Sequence, residues 1–164
     1  ALGDALAVSL MEQRDFKPDD FKVLHPGGNL GLQMVTVSQL MRNKNEMAII
    51  KDDLLMSDVI DCMTETGFGV AVLVDKKGIL SGVITDGDLR RSLTGRNSQS
   101  WTELIASDLM TKNPITIKSN LLAHQALEIM EKNEKKPITL IPVVDEDNKF
   151  IGVIRLHDII QAGL

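Results

Sequence analysis

The chain runs twice through the same order of apolar and polar positions. Each pass contains a short extended segment, then a window whose apolar residues recur at spacings of one, three and four, which is typical of an amphipathic helix. Two β-branched runs joined by turn residues and a short closing helix complete the pass. The predicted elements of the first pass are a strand at 48–50, a helical window at 55–63, strands at 70–74 and 79–85, and a helix at 86–93. Those of the second pass are a strand at 115–117, a helical window at 122–130, strands at 139–144 and 150–155, and a helix at 157–162.

Short identical strings indicate that the two passes are copies of one unit. The Leu-Met pair at 40–41 recurs at 109–110, and Gly-Val-Ile at 82–84 recurs at 152–154, which are offsets of 69 and 70 residues. A unit of about 60 residues buries a modest share of its surface, so we expect the two copies to pack on one another. The predicted fold class is α/β (α+β), with two β-α-β-β-α repeats.

The repeat does not account for the whole chain. Residues 1–34 lie before it and contain an apolar-periodic stretch with Leu2, Leu6 and Leu10, followed by a glycine-rich string from His25 to Gly31. A polar, turn-rich stretch separates the two copies and is interpreted as a linker. The predicted organisation is an N-terminal segment at 1–34, a first unit at 35–94, a linker at 95–104 and a second unit at 105–164.

Charge and composition narrow the classes of partner. The 164 residues include 18 basic and 23 acidic side chains, which leave a net charge of −5 and no surplus of cations for nucleic acid or an anionic membrane. The apolar runs are far too short for a membrane-spanning helix. The single cysteine, Cys62, cannot form an internal disulfide and favours a reducing compartment. We therefore expect a soluble, cytoplasmic protein, and the first residue, Ala1, favours a fragment or a processed chain.

The densest chemical signal lies where the first copy passes from a strand into its closing helix. Thr85 precedes the helix and Asp88 follows three residues later, which is the pattern of a capping box. The same geometry suits a ligand, because a helix N-terminus offers free amides to a phosphate and a carboxylate can accept hydrogen bonds from ribose hydroxyls. The motif is compatible with both interpretations.

The second copy departs from this motif. Asp158 occupies the position of the first carboxylate, but Arg155 stands where the first copy has threonine. The five guanidinium donors of Arg155 suit a phosphate or a sugar-acid carboxylate, and the alternative is an exposed side chain beside an empty cleft. His157, at the start of the closing helix, either lines the cleft or is solvated. No pair of histidines has ligand spacing and Cys62 has no thiol partner, so no metal site is predicted.

The duplicated unit, with its Leu-Met pair and its Gly-x-x-Thr-x-x-Asp motif, resembles a tandem pair of CBS domains over about residues 35–164. The resemblance implies a compact pair with a pseudo-twofold axis, whose clefts bind adenosyl or other nucleotide ligands. It implies a phosphate contact for Thr85 and a ribose contact for Asp88. Thr116 stands where that family often has a further ligand contact, although a strand residue of ordinary β-propensity is the competing interpretation.

The N-terminal segment carries a second resemblance. The string from Ala1 to Ala7, followed by His25-Pro26-Gly27-Gly28 and then the repeat, is similar to the arabinose-5-phosphate isomerase family, in which a sugar isomerase (SIS) domain precedes tandem CBS domains. That family interconverts ribulose 5-phosphate and arabinose 5-phosphate on the route to the Kdo of lipopolysaccharide. The chemistry moves a proton between C1 and C2 and needs a positioned base.

In this family the histidine of the glycine-rich motif is an active-site residue, a role that the resemblance transfers to His25. The other catalytic residues of the family lie upstream of Ala1, so we expect residues 1–34 to be the end of a SIS domain and the chain alone to be inactive. Its expected function is to sense a regulatory nucleotide or nucleotide sugar, either an adenine nucleotide or CMP-Kdo, with no catalytic cofactor. Self-association into a homodimer or tetramer of the parent is also expected. The alternatives are a structural oligomerisation module without a ligand, or a CBS pair of another enzyme or transporter.

Overall fold

Two four-stranded sheets lie at the centre of the protein in a computed structural model that describes residues 2–16, 34–94, 101, 103–132 and 138–164. The strands are β1 (Arg42–Asn43), β2 (Ala48–Ile50), β3 (Val70–Val74), β4 (Leu80–Thr85), β5 (Thr111–Lys112), β6 (Ile117–Lys118), β7 (Leu140–Val144) and β8 (Phe150–Arg155). The helices are α1 (Leu2–Gln13), α2 (Val37–Leu40), α3 (Met56–Thr66), α4 (Asp86–Leu93), α5 (Ala106–Leu109), α6 (Ala123–Glu131) and α7 (Leu156–Gln161), and a 3-10 turn spans Lys44–Glu46.

The two copies exchange their first short strands. The strand order is β2-β3-β4-β5 in one sheet and β1-β8-β7-β6 in the other. Strand β5 of the second copy therefore lies at the edge of the first copy's sheet, antiparallel to β4, and β1 of the first copy pairs in the same way with β8. Because each sheet is completed by the other copy, the backbone itself ties the two units together.

The chain at each exchanged strand comes close to a glycine of the sheet that it joins, and the two glycines are equivalent in the two copies. A Cβ atom at Gly152 would overlap the backbone carbonyl oxygen of Arg42 in β1, and a Cβ at Gly82 would lie 2.5 Å from the side-chain sulfur of Met110, just before β5. A side chain at Gly152 would thus collide with backbone, whereas one at Gly82 would displace the end of the Met110 side chain. The close approach of the neighbouring chain thus explains the glycine of the repeated Gly-Val-Ile string.

Three apolar clusters form the core, and each of them includes residues of both copies. Ala71 and Leu73 of β3 pack towards α3, whereas Val70 and Val72 of the same strand pack with Val153 of β8. The corresponding cluster of the second copy includes Met130 of α6 and Ile141 of β7. Strands with both faces covered need apolar residues at successive positions, which is why these strands were visible in the sequence as continuous runs.

The duplicated β-α-β-β-α order predicted from the sequence is confirmed, with differences at its edges. Strands 70–74 and 150–155 and helix 86–93 have the predicted bounds, but the strand predicted at 115–117 lies at Ile117–Lys118. The prediction did not include α2, α5, β1 and β5, which have two to four residues each. Elements of that length leave no periodic pattern, and their hydrogen bonds come from distant parts of the chain. Across the described ranges, none of the helices combines the length and apolar character needed to cross a bilayer.

Candidate functional site

Thr85 and Asp88 form the N-terminal cap of α4. The backbone N–H of Asp88 donates to Oγ1 of Thr85 at 3.3 Å, and Oδ2 of Asp88 accepts from the backbone N–H of Thr85 at 2.8 Å and from its hydroxyl at 2.6 Å. The negative charge of Asp88 also lies at the positive end of the helix. The capping box predicted from the sequence is therefore confirmed.

The second oxygen of Asp88 connects the two copies. Its Oδ1 atom accepts from the hydroxyl of Thr111 in β5 at 3.3 Å and from Nη2 of Arg91 one turn along α4. The side chain of Asp88 is only 9% exposed, whereas that of Arg91 is 60% exposed. A carboxylate has about four acceptor positions, so all of those of Asp88 are in use, but one partner is a flexible surface side chain.

A cleft of about 990 Å³ adjoins this cap and is called the Asp88 cleft below. The first copy contributes Thr85, Asp88 and Arg91 to its lining, and the second copy contributes Arg155 and His157. The remaining lining is largely apolar and includes Phe68, Pro114, Ile115, Pro142 and Ile160. An apolar cleft with a few convergent polar groups is the usual form of a small-molecule site.

The equivalent carboxylate of the second copy, Asp158, has different partners. Arg155 grips it with two hydrogen bonds, from Nε to Oδ2 at 2.8 Å and from Nη2 to Oδ1 at 2.7 Å. Arg42 of the exchanged strand β1 adds a bond from Nη2 to Oδ1 at 3.2 Å. The guanidinium of Arg155 also lies 5.0 Å from the centre of the Phe68 ring. We call Arg42, Arg155 and Asp158 the Asp158 cluster.

The charged groups of the Asp158 cluster shift one another's pKa values. The hydrogen bonds from Arg155 lower the pKa of Asp158 below its ordinary value, burial opposes this change, and the hydrogen bond from Arg42 adds to the lowering. The same bond to Asp158 raises the pKa of Arg155. Asp158 is thus held as a carboxylate although its side chain is only 5% exposed.

A carboxylate with a lowered pKa predicts a loss of stability in acid. Its contribution is fully present above the unfolded pKa of aspartate, about 3.9, and is lost as the pH falls through the depressed folded value. The melting temperature of the wild type, followed by circular dichroism between about pH 5 and pH 2, is expected to fall more steeply than that of Asp158→Asn. Asp53→Asn, at an exposed carboxylate, serves as the control. If wild type and Asp158→Asn differed in melting temperature by the same amount at pH 5 and at pH 2, the lowered pKa of Asp158 would be contradicted.

The structure adds two residues that the sequence analysis missed. Thr111 and Arg42 each follow the repeated Leu-Met pair, and each donates to the carboxylate of the other copy. Aligning the two copies at the Leu-Met pair places Thr111 and Arg42 in equivalent positions, so the sequence shows that they correspond. The sequence does not show the strand exchange that brings each of them to the carboxylate of the other copy.

The other predicted site residues are placed as follows. Thr116 is exposed, immediately precedes β6 and is not among the residues that line the Asp88 cleft. His157 is exposed and lines that cleft. His25 lies outside the described residues.

Comparison with known proteins identifies both copies. The model of the CBS domain matches residues 37–95 and again residues 106–164. An uncharacterised protein of Rickettsia prowazekii, RP505, is 39% identical over 164 residues, which cover 100% of this chain and 49% of that protein. Arabinose 5-phosphate isomerase GutQ of Salmonella typhi is 38% identical over 99% of this chain and 49% of its own length. The chain thus spans about half the length of the curated relatives it matches.

Solved structures support the same fold. The crystal structure of CBSX2 in complex with AMP superposes with a TM-score of 0.66 at 22% identity, covering 79% of this chain and 96% of that one. At this level of identity the likeness concerns the fold. The predicted tandem arrangement of two β-α-β-β-α units is confirmed by both comparisons.

Proposed function

The chain belongs to the CBS domain family, and from this premise we propose that its Asp88 cleft binds a nucleotide that regulates an arabinose 5-phosphate isomerase. The observation that carries the proposal is the position of the Thr85–Asp88 cap. It lies at the N-terminus of an eight-residue helix and opens into an apolar cleft lined by both copies. A nucleotide has a phosphate for the helix end, hydroxyls for the carboxylate and a base for the apolar lining.

The hydrogen-bond partners of Asp88 support a ribose contact at this residue. Its Oδ2 atom belongs to the helix cap, whereas Oδ1 is held by the exposed Arg91 and by the rotatable hydroxyl of Thr111. We propose that the ribose hydroxyls replace these two donors at Oδ1. Arg91 then remains beside the cleft as a free cation, so the exchange costs the cap nothing and favours an anionic ligand.

The second copy supplies the remaining polar groups. The grip of Arg155 on Asp158 uses Nε and Nη2 and does not involve Nη1, and Arg155 lines the Asp88 cleft together with His157. We propose that Arg155 and His157 lie close to the phosphates. We do not extend the proposal to Thr116, which lies outside the cleft lining, or to Asp158, whose two oxygens are taken by arginines.

The isomerase part of the proposal rests on relatives about twice as long as this chain. GutQ, at 38% identity, is named an arabinose 5-phosphate isomerase. We propose that a protein containing this chain catalyses that isomerisation in the cytoplasm, that His25 belongs to its active site, and that residues 35–164 regulate it without catalysing. The proposal includes self-association of the chain as a homodimer. It includes neither a catalytic cofactor nor nucleic acid.

Titration calorimetry of the chain tests ligand binding. The ligands are AMP, ATP, S-adenosylmethionine, CMP and CMP-Kdo, with adenosine as the control that lacks a phosphate. We expect an adenine nucleotide to bind and adenosine to bind at least about tenfold more weakly, because charge-assisted bonds to the phosphate are absent. The crystal structure of CBSX2 is a complex with AMP, which supports an adenine nucleotide rather than CMP-Kdo as the ligand of this chain. Absence of binding by every ligand at millimolar concentration would overturn the sensing role and favour a structural module.

A further inference from the structure

The two copies of the motif differ in the charges that surround their carboxylates. We infer that Arg42 and Arg155 close the Asp158 position to nucleotides, so that the chain binds one nucleotide, at Asp88. The inference rests on the proposed function and adds the number of nucleotides that each chain binds. It also assigns to Arg42 a role in specificity, since this residue lies outside the motif in sequence and reaches it only through strand exchange.

Three pairs of positions correspond between the copies. The carboxylates Asp88 and Asp158 are 70 residues apart in the sequence, and so are the residues before each helix, Thr85 and Arg155. Thr111 and Arg42 are 69 apart, and each comes from the short strand that the opposite copy lends. Each carboxylate therefore meets two equivalent positions, one before its helix and one on the exchanged strand. Both positions hold threonine at Asp88, and both hold arginine at Asp158.

The difference between threonine and arginine changes which hydrogen bonds a ligand must displace. At Asp88 the donors to Oδ1 are a hydroxyl and the 60% exposed Arg91, which can move into solvent. At Asp158 both oxygens accept from Arg155, which is 25% exposed and packed over Phe68, and Oδ1 also accepts from Arg42. A ribose hydroxyl is a neutral donor and would have to replace charge-assisted, bidentate bonds, which are stronger than its own.

The backbone next to each carboxylate differs as well. After β5 the chain continues through Asn113, Pro114 and Ile115, and all three line the Asp88 cleft. After β1 it instead forms the 3-10 turn Lys44–Glu46, whose first turn is capped by the side chain of Asn43. The offset between the copies falls from 69 before this point to 67 after it, so the first copy has the two extra residues that the turn requires.

The 3-10 turn also brings an acidic side chain to this side of the protein. The hydrogen bond to Asp158 is the main cause of the raised pKa of Arg155, and the negative charge of Glu46 contributes in the same direction. Glu46 is therefore close enough to act on Arg155, and its charge opposes a phosphate there. The equivalent stretch of the Asp88 cleft, residues 113–115, carries no charge.

Calorimetric stoichiometry with AMP and ATP tests the inference on the intact chain. We expect one equivalent for the wild type, none for Asp88→Asn, and one for Asp158→Asn with a Kd within about threefold of the wild type. Added to Asp88→Asn, the pair Arg42→Thr/Arg155→Thr gives Asp158 the two threonines that surround Asp88. This triple variant is expected to bind one equivalent, at Asp158, whatever Arg155 contributes at the Asp88 cleft. Among the described residues, Nε of Arg42 is buried without a partner, so removing this side chain also removes an unsatisfied donor.

The outcomes separate the closure of the Asp158 position from the proposed function. Two equivalents on the wild type, loss of an equivalent in Asp158→Asn, or a folded triple variant that binds no nucleotide would overturn the closure. Where the triple variant does not fold, as judged by circular dichroism, the wild-type and Asp158→Asn stoichiometries decide. A wild type that binds no nucleotide overturns the proposed function instead, and the gain of binding in the triple variant then tests the closure alone.

Discussion

Asp88→Asn is expected to weaken nucleotide binding by about 100-fold or more. The substitution keeps the shape of the side chain but removes its negative charge and turns one acceptor oxygen into a donor. Because Oδ2 serves the cap of α4, it is the Oδ1 acceptor for the ribose hydroxyls that the variant loses. Charge-assisted hydrogen bonds contribute about 1.5–3 kcal/mol each, which accounts for the size of the effect.

A matched variant separates this loss of affinity from a loss of helix capping. Asp108 has the same position in the first turn of α5, where its Oδ2 accepts from the backbone N–H of Ile105 at 3.2 Å, but it does not line the Asp88 cleft. We expect Asp108→Asn to lose up to about 1 kcal/mol of stability. Asp88→Asn is expected to lose more, because Asp88 is nearly buried and accepts four hydrogen bonds, and only this variant is expected to lose affinity. Titration calorimetry and thermal unfolding measure the two quantities. Equal affinities in the two variants would show that Asp88 acts only as a cap.

Gly152→Ala is expected to lower the free energy of unfolding by about 3 kcal/mol. The new Cβ would overlap the backbone carbonyl oxygen of Arg42, and backbone in a paired strand cannot rotate away as a side chain can. Strand β1 would have to move off β8, and Arg42 would move with it from Asp158. For a chain of this size the change corresponds to a melting temperature lower by roughly 6–12 °C.

Gly82→Ala is the control, because it makes the same change at the equivalent glycine of the first copy. There the Cβ would meet the sulfur of Met110, the end of a flexible side chain that has other rotamers. We expect a loss of about 1 kcal/mol, offset in part by the lower entropy of the unfolded alanine variant. Losses of equal size in the two variants, measured by denaturant unfolding, would contradict the claim that the backbone of the exchanged strand sets the cost.

Much of the fold was predictable because it depends on patterns within one copy. Each of the four longer strands contains a run of at least three successive buried residues, and helix α3 has an apolar stripe that includes Val59 and Met63. The Thr85–Asp88 cap is a contact between residues three apart, so its geometry follows from local sequence alone. Duplication of these patterns then predicted the pairing of two like units.

The site was only partly predictable, because half of it comes from distant residues. The motif in the sequence indicates Arg155 and Asp158 as candidate ligand contacts, but nothing in it indicates the hydrogen bond from Arg42 to Asp158, 116 residues away. From the sequence, Arg155 is either a donor to a ligand or an exposed side chain, whereas the structure pairs it with Asp158 and places it over the ring of Phe68 in the other copy. A guanidinium can bind a ligand or a neighbouring carboxylate, and only the neighbours in space determine which it does.

By itself, the sequence determined the number of units, the order of their strands and helices and the capped end of α4, since each arises from spacings of a few residues. Tertiary structure alone decided that the copies exchange edge strands and that the two carboxylates, equivalent in sequence, acquire different partners. The physical reason is distance along the chain. Local periodicity specifies which face of an element is apolar, but the donors that reach a buried carboxylate are set by which strand closes the sheet, and that strand belongs to the other copy.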